Sequence, residues 1–244
     1  MAFVHLHNHT EYSLLDGLTH VKDMVRRAAE LDMPAVAITD HGVMSGVPEL
    51  CDACTAVEKE TGKKVKPIYG CEVYFTTDEE LRKDVKPKLY HLLLLAKTNE
   101  GYHNLLHLVS ESHVDNFYYK PRTTFSMLRK YGHGIIGSSA CIAGIIPKLL
   151  DNRQFDDAVE WARRFASCFD EGDFYIELQN QGLRTDGGMT QTELNRQLTK
   201  VAQLAGLKTI ATNDFHYLKK EDAKAQDIML CIGTGSAVND SNRM

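Results

Sequence analysis

Short apolar runs alternate along the chain with longer amphipathic stretches. Runs bounded by polar residues or glycine predict buried strands, and apolar positions spaced three and four apart predict helices. The predicted strands cover residues 3–8, 35–39, a pair within 65–75, 91–96, 134–137, 174–179 and 209–212. The predicted helices cover residues 21–31, 46–60, 99–112, 125–131, 155–169, 190–205 and 220–230. A charged loop is expected over residues 76–88.

The alternation of strand and helix predicts a parallel α/β architecture. In parallel barrels, functional residues collect at the carboxyl ends of the strands. Candidate metal ligands follow the predicted strands repeatedly, at His7, His9, His41, Glu72, Cys141, Asp214 and His216. His91 is the exception, because it stands at the start of its predicted strand. This recurrence is stronger evidence for one functional site than any single motif.

The N-terminal stretch FVHLHNHTEYSLLDG places histidines at alternating positions 5, 7 and 9, with Asp16 further along. Alternate side chains of a strand point to the same face, so two or three of these imidazoles are expected around one point. Imidazole and carboxylate groups together suit zinc, manganese or iron. The alternative is an edge strand with exposed histidines.

Two further motifs are ambiguous when taken alone. TDH at residues 39–41 fits either a metal ligand at His41 or a helix cap beside a packed imidazole. NDFHY at residues 213–217 places Asp214 and His216 on one face if the strand continues.

Glu72 stands between apolar residues, and a buried carboxylate there needs a cation or hydrogen bonds. Cys141, taken alone, is most simply a small core residue.

Composition sets limits on the function. The chain has 244 residues, 43% hydrophobic and 25% charged, which is ordinary for a globular domain, and no apolar run of membrane-spanning length. No signal peptide is visible and the six cysteines are scattered, so we expect reduced thiols and a cytoplasmic location. The net charge of −5 disfavours a nonspecific polyanion binder, unless bound cations or a local basic groove supply positive charge.

The loop sequence YYKPR contributes four candidate nucleic-acid contacts. Tyr118 and Tyr119 can stack on bases, and Lys120 and Arg122 can contact phosphates. A loop that packs its tyrosines against the rest of the domain is an equally good interpretation.

Several segments together resemble the PHP (polymerase and histidinol phosphatase) family. Within that family they are most similar to the N-terminal PHP domains of bacterial replicative DNA polymerases. The segments that carry the resemblance are HLHNHTEYSLLDG, PAVAITDHG, KPIYGCEVYF, YHLLLLAKTNEGYHNL, FYYKPR, GIIGSSACIAG and IATNDFHY. They span residues 3–217, so the resemblance covers most of the chain.

The resemblance implies a distorted, TIM-like (βα)₇ barrel with up to three divalent metal ions in a cleft at the carboxyl ends of the strands. Its pattern assigns His7, His9, Glu72 and Asp214 to one ion and Asp16, His41 and His216 to a second. Glu72 would bridge to a third ion held with His91 and Cys141. The catalytic role would fall to His7, His9, Glu72, Asp214 and His216. His5 lies outside the pattern, and Gln181 stands where relatives often carry histidine.

The implied activity is metal-dependent phosphoester hydrolysis, in the form of a 3′–5′ exonuclease that proofreads with metal-activated water. The implied partners are the 3′ end of a DNA primer, the rest of a polymerase chain and other replisome subunits, with no membrane. We expect a single domain over residues 1–244 that belongs to a longer polymerase, since the paired aspartates of nucleotidyl transfer are not recognisable. Two alternatives stay open. One is a metal-stabilised structural module, and the other is a small-molecule phosphomonoesterase.

Overall fold

The computed structural model describes residues 3–81 and 86–240. Its strands are β1 Ala35–Ile38, β2 Lys66–Phe75, β3 Tyr90–Ala96, β4 Arg122–Thr123, β5 Ile135–Ser138, β6 Phe174–Leu178 and β7 Lys208–Ala211. Its helices are α1 Val21–Glu30, α2 Val47–Thr61, α3 Asn99–Val114, α4 Phe125–Tyr131, α5 Ile145–Asp151, α6 Phe155–Ala166, α7 Gln191–Ala205 and α8 Ala223–Thr234. The chain divides into two compact units, residues 1–69 with 214–244, and residues 70–213.

The first unit contains β1, the beginning of β2 and the helices α1, α2 and α8. β1 pairs in parallel with β2, with Ala35 opposite Lys66 and Ile38 opposite Tyr69. All four residues of β1 are buried, as expected for a strand covered on both faces. The apolar faces of α1 and α2 supply the rest of this core, which is centred on Val25 and Leu50.

The predicted strand over residues 3–8 is wrong. His5 and Asn8 form only isolated bridges, to Val36 and Phe215. The backbone N–H of Asn8 donates instead to the Thr39 hydroxyl at 2.8 Å, and its side-chain amide donates to the carbonyl of Ala37 at 3.0 Å. Side-chain hydrogen bonds thus interrupt the pairing, which keeps only single backbone hydrogen bonds such as those from Ala37 to His5 and from Thr39 to Asn8, and alternation alone could not show this.

The second unit is built on a mixed sheet. β3 is antiparallel to both β2 and β5, whereas β5, β6 and β7 run parallel and β4 pairs in parallel with β2. The expectation of an entirely parallel sheet is therefore wrong, although the mixed α/β class is confirmed. Closure of the strands into a seven-stranded barrel stays a prediction.

An aromatic cluster forms the centre of the second unit. The rings of Phe75, Phe125 and Phe165 have centroids 4.9–5.0 Å apart, in the edge-on and tilted arrangements that aromatic rings favour. The guanidinium of Arg164 lies 4.0 Å from the centroid of Phe125, so it covers the solvent side of the cluster. These contacts join β2 to α4 and α6.

The helix positions follow the sequence pattern closely. α4 has its predicted limits, and α7 begins with a capping box between Thr190 and Glu193 and ends at Gly206 in the left-handed conformation. The short elements β4 and α5 were not predicted, and a 3₁₀ turn at Asp78–Glu80 lies in the expected charged loop. Residues 82–85 of that loop lie outside the described part. None of the helices in the described ranges could span a membrane.

Candidate metal centre

Three buried donors converge in the first unit. Oδ1 of Asp214 lies 3.3 Å from Nε2 of His7 and 3.2 Å from Nε2 of His9. Both histidines are completely buried, and the side chain of Asp214 is 14% exposed. Asp214 has a φ of +50°, which is rare for a residue with a side chain, so the surrounding structure must hold it there.

A second group of donors in the same unit centres on Asp16. Its Oδ2 lies 2.7 Å from Nε2 of His41 and 3.4 Å from Nε2 of His216. Burial alone would raise the pKa of Asp16, but the hydrogen bonds and charges of His216 and His41 outweigh it and hold that pKa far below its usual value. Burial opposes protonation of His216, and the two aspartates reverse this and raise its pKa.

The two groups are continuous through His9. The His9 ring stacks on His41 and on His216, with centroids 4.0 and 4.3 Å apart. One nitrogen from each of these three rings lies within 4.8 Å of the others. The six side chains therefore form one cluster, which we call the histidine cluster: His7, His9, Asp16, His41, Asp214 and His216.

Asp40 organises the loop that carries this cluster. Its carboxylate accepts hydrogen bonds from the backbone N–H of Thr10 at 2.7 Å, from the Thr10 hydroxyl at 2.8 Å and from the Ser13 hydroxyl at 2.7 Å. Burial raises the pKa of Asp40, although these hydrogen bonds oppose the shift. A carboxylate at the end of β1 thus fixes the loop that follows His9.

Ser13 sets the proton position on His9. The Ser13 hydroxyl donates its only proton to Asp40, so it acts as acceptor toward His9 Nδ1 at 3.0 Å and toward the backbone N–H of His41 at 3.1 Å. His9 therefore carries its proton on Nδ1, and Nε2 presents its lone pair to the centre of the cluster. Such orientation by a second hydrogen bond is typical of metal-ligating histidines.

The turn that presents Asp16 has no room for a side chain at the next residue. A Cβ on Gly17 would lie 2.0 Å from the carbonyl oxygen of Thr10. The side-chain amide of Gln226, on α8, donates to the carbonyl oxygen of Asp16. The LDG sequence therefore allows a close backbone approach that places Asp16 beside His41.

The second unit holds a separate group of three donors, the cysteine cluster: Glu72, His91 and Cys141. Nδ1 of His91 lies 3.1 Å from Oε1 of Glu72, and Sγ of Cys141 lies 3.5 Å from that nitrogen and 3.7 Å from that oxygen. Because β3 is antiparallel to β2 and β5, its first residues lie level with the ends of those strands. This direction explains why His91 could stand at the start of its strand and still join ligands from strand ends.

The donor chemistry and spacing of both clusters fit divalent metal ions. Two nitrogen or oxygen donors on a tetrahedral zinc ion lie about 3.3 Å apart, and a sulfur–nitrogen pair about 3.6 Å, because the bonds are about 2.0 and 2.3 Å long. The contacts of Asp214 with His7 and His9 and those of Cys141 have these lengths. The 2.7 Å contact of Asp16 with His41 is a direct hydrogen bond, so it must lengthen when a metal ion binds between them.

The model of the PHP domain family matches residues 5–181. This chain belongs to the PHP family. The DNA polymerase III alpha subunits of Borreliella burgdorferi, Helicobacter pylori and Thermus aquaticus are 42%, 40% and 36% identical to it, over 99–100% of the chain. The chain spans about a fifth of the length of these curated relatives. The predicted resemblance to PHP domains of bacterial replicative polymerases is confirmed.

A solved structure from Bifidobacterium adolescentis, assigned as a metal-dependent phosphoesterase, shares the fold of this PHP chain. The TM-score is 0.53 at 14% sequence identity, and the match covers 87% of each chain. At this identity the match concerns the fold only.

The nine predicted ligands of the PHP pattern fall into two groups. Six form the histidine cluster and three the cysteine cluster. The bridging role of Glu72 between two ions stays a prediction. His5 packs edge-on between Phe3 and Phe215, with ring centroids 4.9 and 5.1 Å apart, and burial lowers its pKa.

The predicted nucleic-acid loop divides into exposed and buried residues. Tyr119 is 65% exposed and Lys120 is also exposed, with its Nζ 5.1 Å from the ring centroid of Tyr74. Tyr118 is half-buried. Arg122 is 1% exposed and donates to the carbonyl oxygens of Asn116 at 2.8 Å and Leu81 at 3.1 Å. Arg122 is thus placed to hold the loop together, which corrects its predicted role as a phosphate contact.

Sequence reasoning missed the residues that orient the ligands. Asp40 and Ser13 stand next to or near predicted ligands, yet their contact joins positions 27 residues apart. The only signal in the sequence was an acid directly after an apolar strand, in TDH, together with hydroxyl residues in the preceding loop.

Proposed function

We propose that this PHP chain is the metal-dependent phosphoesterase domain of a bacterial replicative DNA polymerase and acts as a 3′–5′ exonuclease on the primer end. The observation that carries the proposal is the histidine cluster, in which six imidazole and carboxylate side chains converge in one unit. The identity to DNA polymerase III alpha subunits along the whole chain supports the polymerase context.

The chain's own residues supply the ligands and their orientation. His7, His9 and Asp214 would hold one divalent ion, Asp16, His41 and His216 a second, and Glu72, His91 and Cys141 a third. Bound zinc, manganese or iron ions would supply an activated water and stabilise the charge on phosphate and leaving group. Ser13 holds the Nδ1 proton of His9, so the other nitrogen of that ring stays available as a ligand.

Charge and the exposed loop bear on how DNA approaches. The chain carries a net charge of −5, and the histidine cluster itself contains two carboxylates, Asp16 and Asp214. Divalent ions held there would offset that charge locally and attract a phosphodiester. Tyr119 and Lys120 are exposed side by side, and we assign them contacts with a base and a phosphate of the single-stranded end.

The test is hydrolysis of a primer–template with a mismatched 3′ end by metal-reconstituted protein, with zinc and manganese tried separately. We expect mononucleotide release that chelation abolishes and that Asp214→Ala lacks. Asp173→Asn is the matched control, because Asp173 is 5% exposed but pairs with Lys97 at 2.7 Å, outside both clusters. It should retain the activity.

Two other outcomes would assign a different role. Turnover of phosphomonoesters without release from DNA ends would indicate a small-molecule phosphatase. No hydrolysis from protein that carries its metals, with loss of stability on chelation, would indicate a structural module of the polymerase. The barrel closure and the cytoplasmic location expected of such a domain are part of this proposal.

A further inference from the structure

Glu177 is a buried carboxylate of the second unit that the predicted ligand set does not use. It lies near the end of β6 and is 1% exposed. Its carboxylate accepts hydrogen bonds from the hydroxyls of Ser138 and Thr212, and from the side-chain amide of Gln179 at 2.9 Å. Its backbone N–H donates to the Ser139 hydroxyl at 2.9 Å. A buried carboxylate is costly unless it is hydrogen-bonded, so these four contacts are what keep Glu177 in this position.

The partners of Glu177 lie on two segments that lead directly to predicted metal ligands. Ser138 and Ser139 precede Cys141 by three and two residues, and Thr212 precedes Asp214 by two. Cys141, Glu177 and Gln179 also line one small cavity of about 10 Å³. A single carboxylate therefore ties together the ends of β5 and β7, from which Cys141 and Asp214 follow.

Each of the two segments contains a residue other than glycine in the left-handed backbone conformation. Ala140, next to Cys141, has a φ of +56°, and Asp214 has a φ of +50°. Residues other than glycine stay in this left-handed region only where their surroundings enforce it. Gln181 adds a further restraint, because its side-chain amide donates to the carbonyl oxygen of Asn213 at 2.6 Å.

We propose that Glu177 is a positioning residue for the cysteine cluster, which holds the segment 138–141 through Ser138 and Ser139 so that Cys141 can bind metal. This inference rests on the proposed function, because it needs the metal centre to be real. In Glu177→Gln the amide nitrogen can only donate, so the hydroxyl that faces it loses the acceptor of its own proton and its hold on that segment weakens. The side-chain volume stays almost the same.

The test is a titration of the metal-free 244-residue chain with Co²⁺, followed by the cobalt–thiolate charge-transfer absorption. This band reports ligation of a cysteine, and Cys141→Ser identifies Cys141 as its source. We expect Glu177→Gln to weaken the cobalt affinity at this site by about tenfold, the lower end of the effect of losing an outer-shell hydrogen bond, because Glu177 bonds to neighbours of Cys141 and not to Cys141 itself. Ser138→Ala should also weaken the cobalt affinity, by a smaller factor.

Asp173→Asn is again the control, because it alters a buried carboxylate of the same unit that bonds to Lys97. A merely structural role for Glu177 predicts that both variants lower the melting temperature and leave the cobalt affinity alone. Unchanged affinity in folded Glu177→Gln, or in Ser138→Ala if Glu177→Gln does not fold, would overturn the inference. A wild-type chain without the cobalt–thiolate band would overturn metal binding by Cys141 and the inference with it, and would leave the histidine cluster and the proposed function to their own tests.

Discussion

At the scale of single residues, the histidine cluster depends on groups that do not bind metal. His9 stacks between His41 and His216, and its ring could carry the proton on either nitrogen. The chain of hydrogen bonds from Asp40 through Ser13 decides between them. One buried hydroxyl thus determines whether the nitrogen that faces the cluster is a ligand or a donor.

Ser13→Ala should therefore weaken metal binding more than it weakens folding. Loss of the hydroxyl lets His9 change tautomer and leaves Asp40 short of a donor, so we expect metal affinity to fall about 10–100-fold. The loss of stability should be about 1–3 kcal/mol. Isothermal titration with Zn²⁺ and urea unfolding measure the two effects.

Ser112→Ala is the matched control for that substitution. Ser112 is 2% exposed and donates to the carbonyl oxygen of Val109 at 2.6 Å, within α3. It should lose stability without a change in zinc affinity. Equal zinc affinities in Ser13→Ala and wild type would show that Ser13 does not orient His9.

The sequence and its resemblance to the PHP family pointed to the residues that converge in the two clusters, and gave no sign of the residues that orient them. His7, His9 and Asp214 stand in short motifs of imidazole and carboxylate residues, which are visible in the sequence although residues 3–8 form no strand. The contact between Ser13 and Asp40 depends on how the loop folds back over the end of β1. Arg122 shows the converse, since its charge suggested a surface role and its environment buries it.

At the scale of elements, the ligands are placed by strand direction and by one tight turn. The antiparallel direction of β3 brings His91 level with the ends of its neighbours, so that it meets Glu72 and Cys141. The turn at Gly17 presents Asp16 to His41. Both features concern the backbone, so their effect on the site can be tested without altering a ligand.

Gly17→Ala should disturb the Asp16 turn. The added Cβ would lie 2.0 Å from the carbonyl oxygen of Thr10, so the backbone must shift. We expect a loss of at least about 2 kcal/mol in the free energy of unfolding, as for other overpacked sites. Zinc affinity should fall at least about tenfold, as for lost ligand orientation. Urea unfolding and calorimetric titration measure both quantities.

Gly62→Ala separates this effect from general strain. Gly62 ends α2 with a φ of +71°, and no atom lies within 4 Å of the position a Cβ would take. It should cost about 1 kcal/mol of stability and leave zinc affinity unchanged. If Gly17→Ala bound zinc as tightly as Gly62→Ala, the turn would not position Asp16.

Periodicity predicted the long helices and the apolar strands, and it failed where tertiary contacts decide. α1, α3, α6 and α7 carry apolar residues at helical spacing, and β1 and β3 are continuous apolar runs. The segment 3–8 alternates like a strand but is held by side-chain hydrogen bonds. A continuous apolar run is typical of a parallel strand, yet β3 is antiparallel to both of its neighbours, because the run reflects burial on both faces and not strand direction.

At the scale of the whole molecule, an acidic chain is proposed to act on a polyanion. The net charge of −5 and the carboxylates of both clusters would repel DNA on their own. Binding of DNA therefore requires cations, held by the histidine and cysteine clusters, that offset this negative charge. The proposed activity depends on metal binding by the histidine cluster, and the role of Glu177 depends on metal binding by the cysteine cluster.

The most direct measurement is the number of metal ions per chain, by elemental analysis after equilibrium dialysis against zinc and, separately, manganese. We predict at least two ions per wild-type chain, fewer in Asp214→Ala, and the wild-type number in Asp173→Asn. A folded wild-type chain that retains no metal, or that loses none when Asp214 is replaced, would contradict the account.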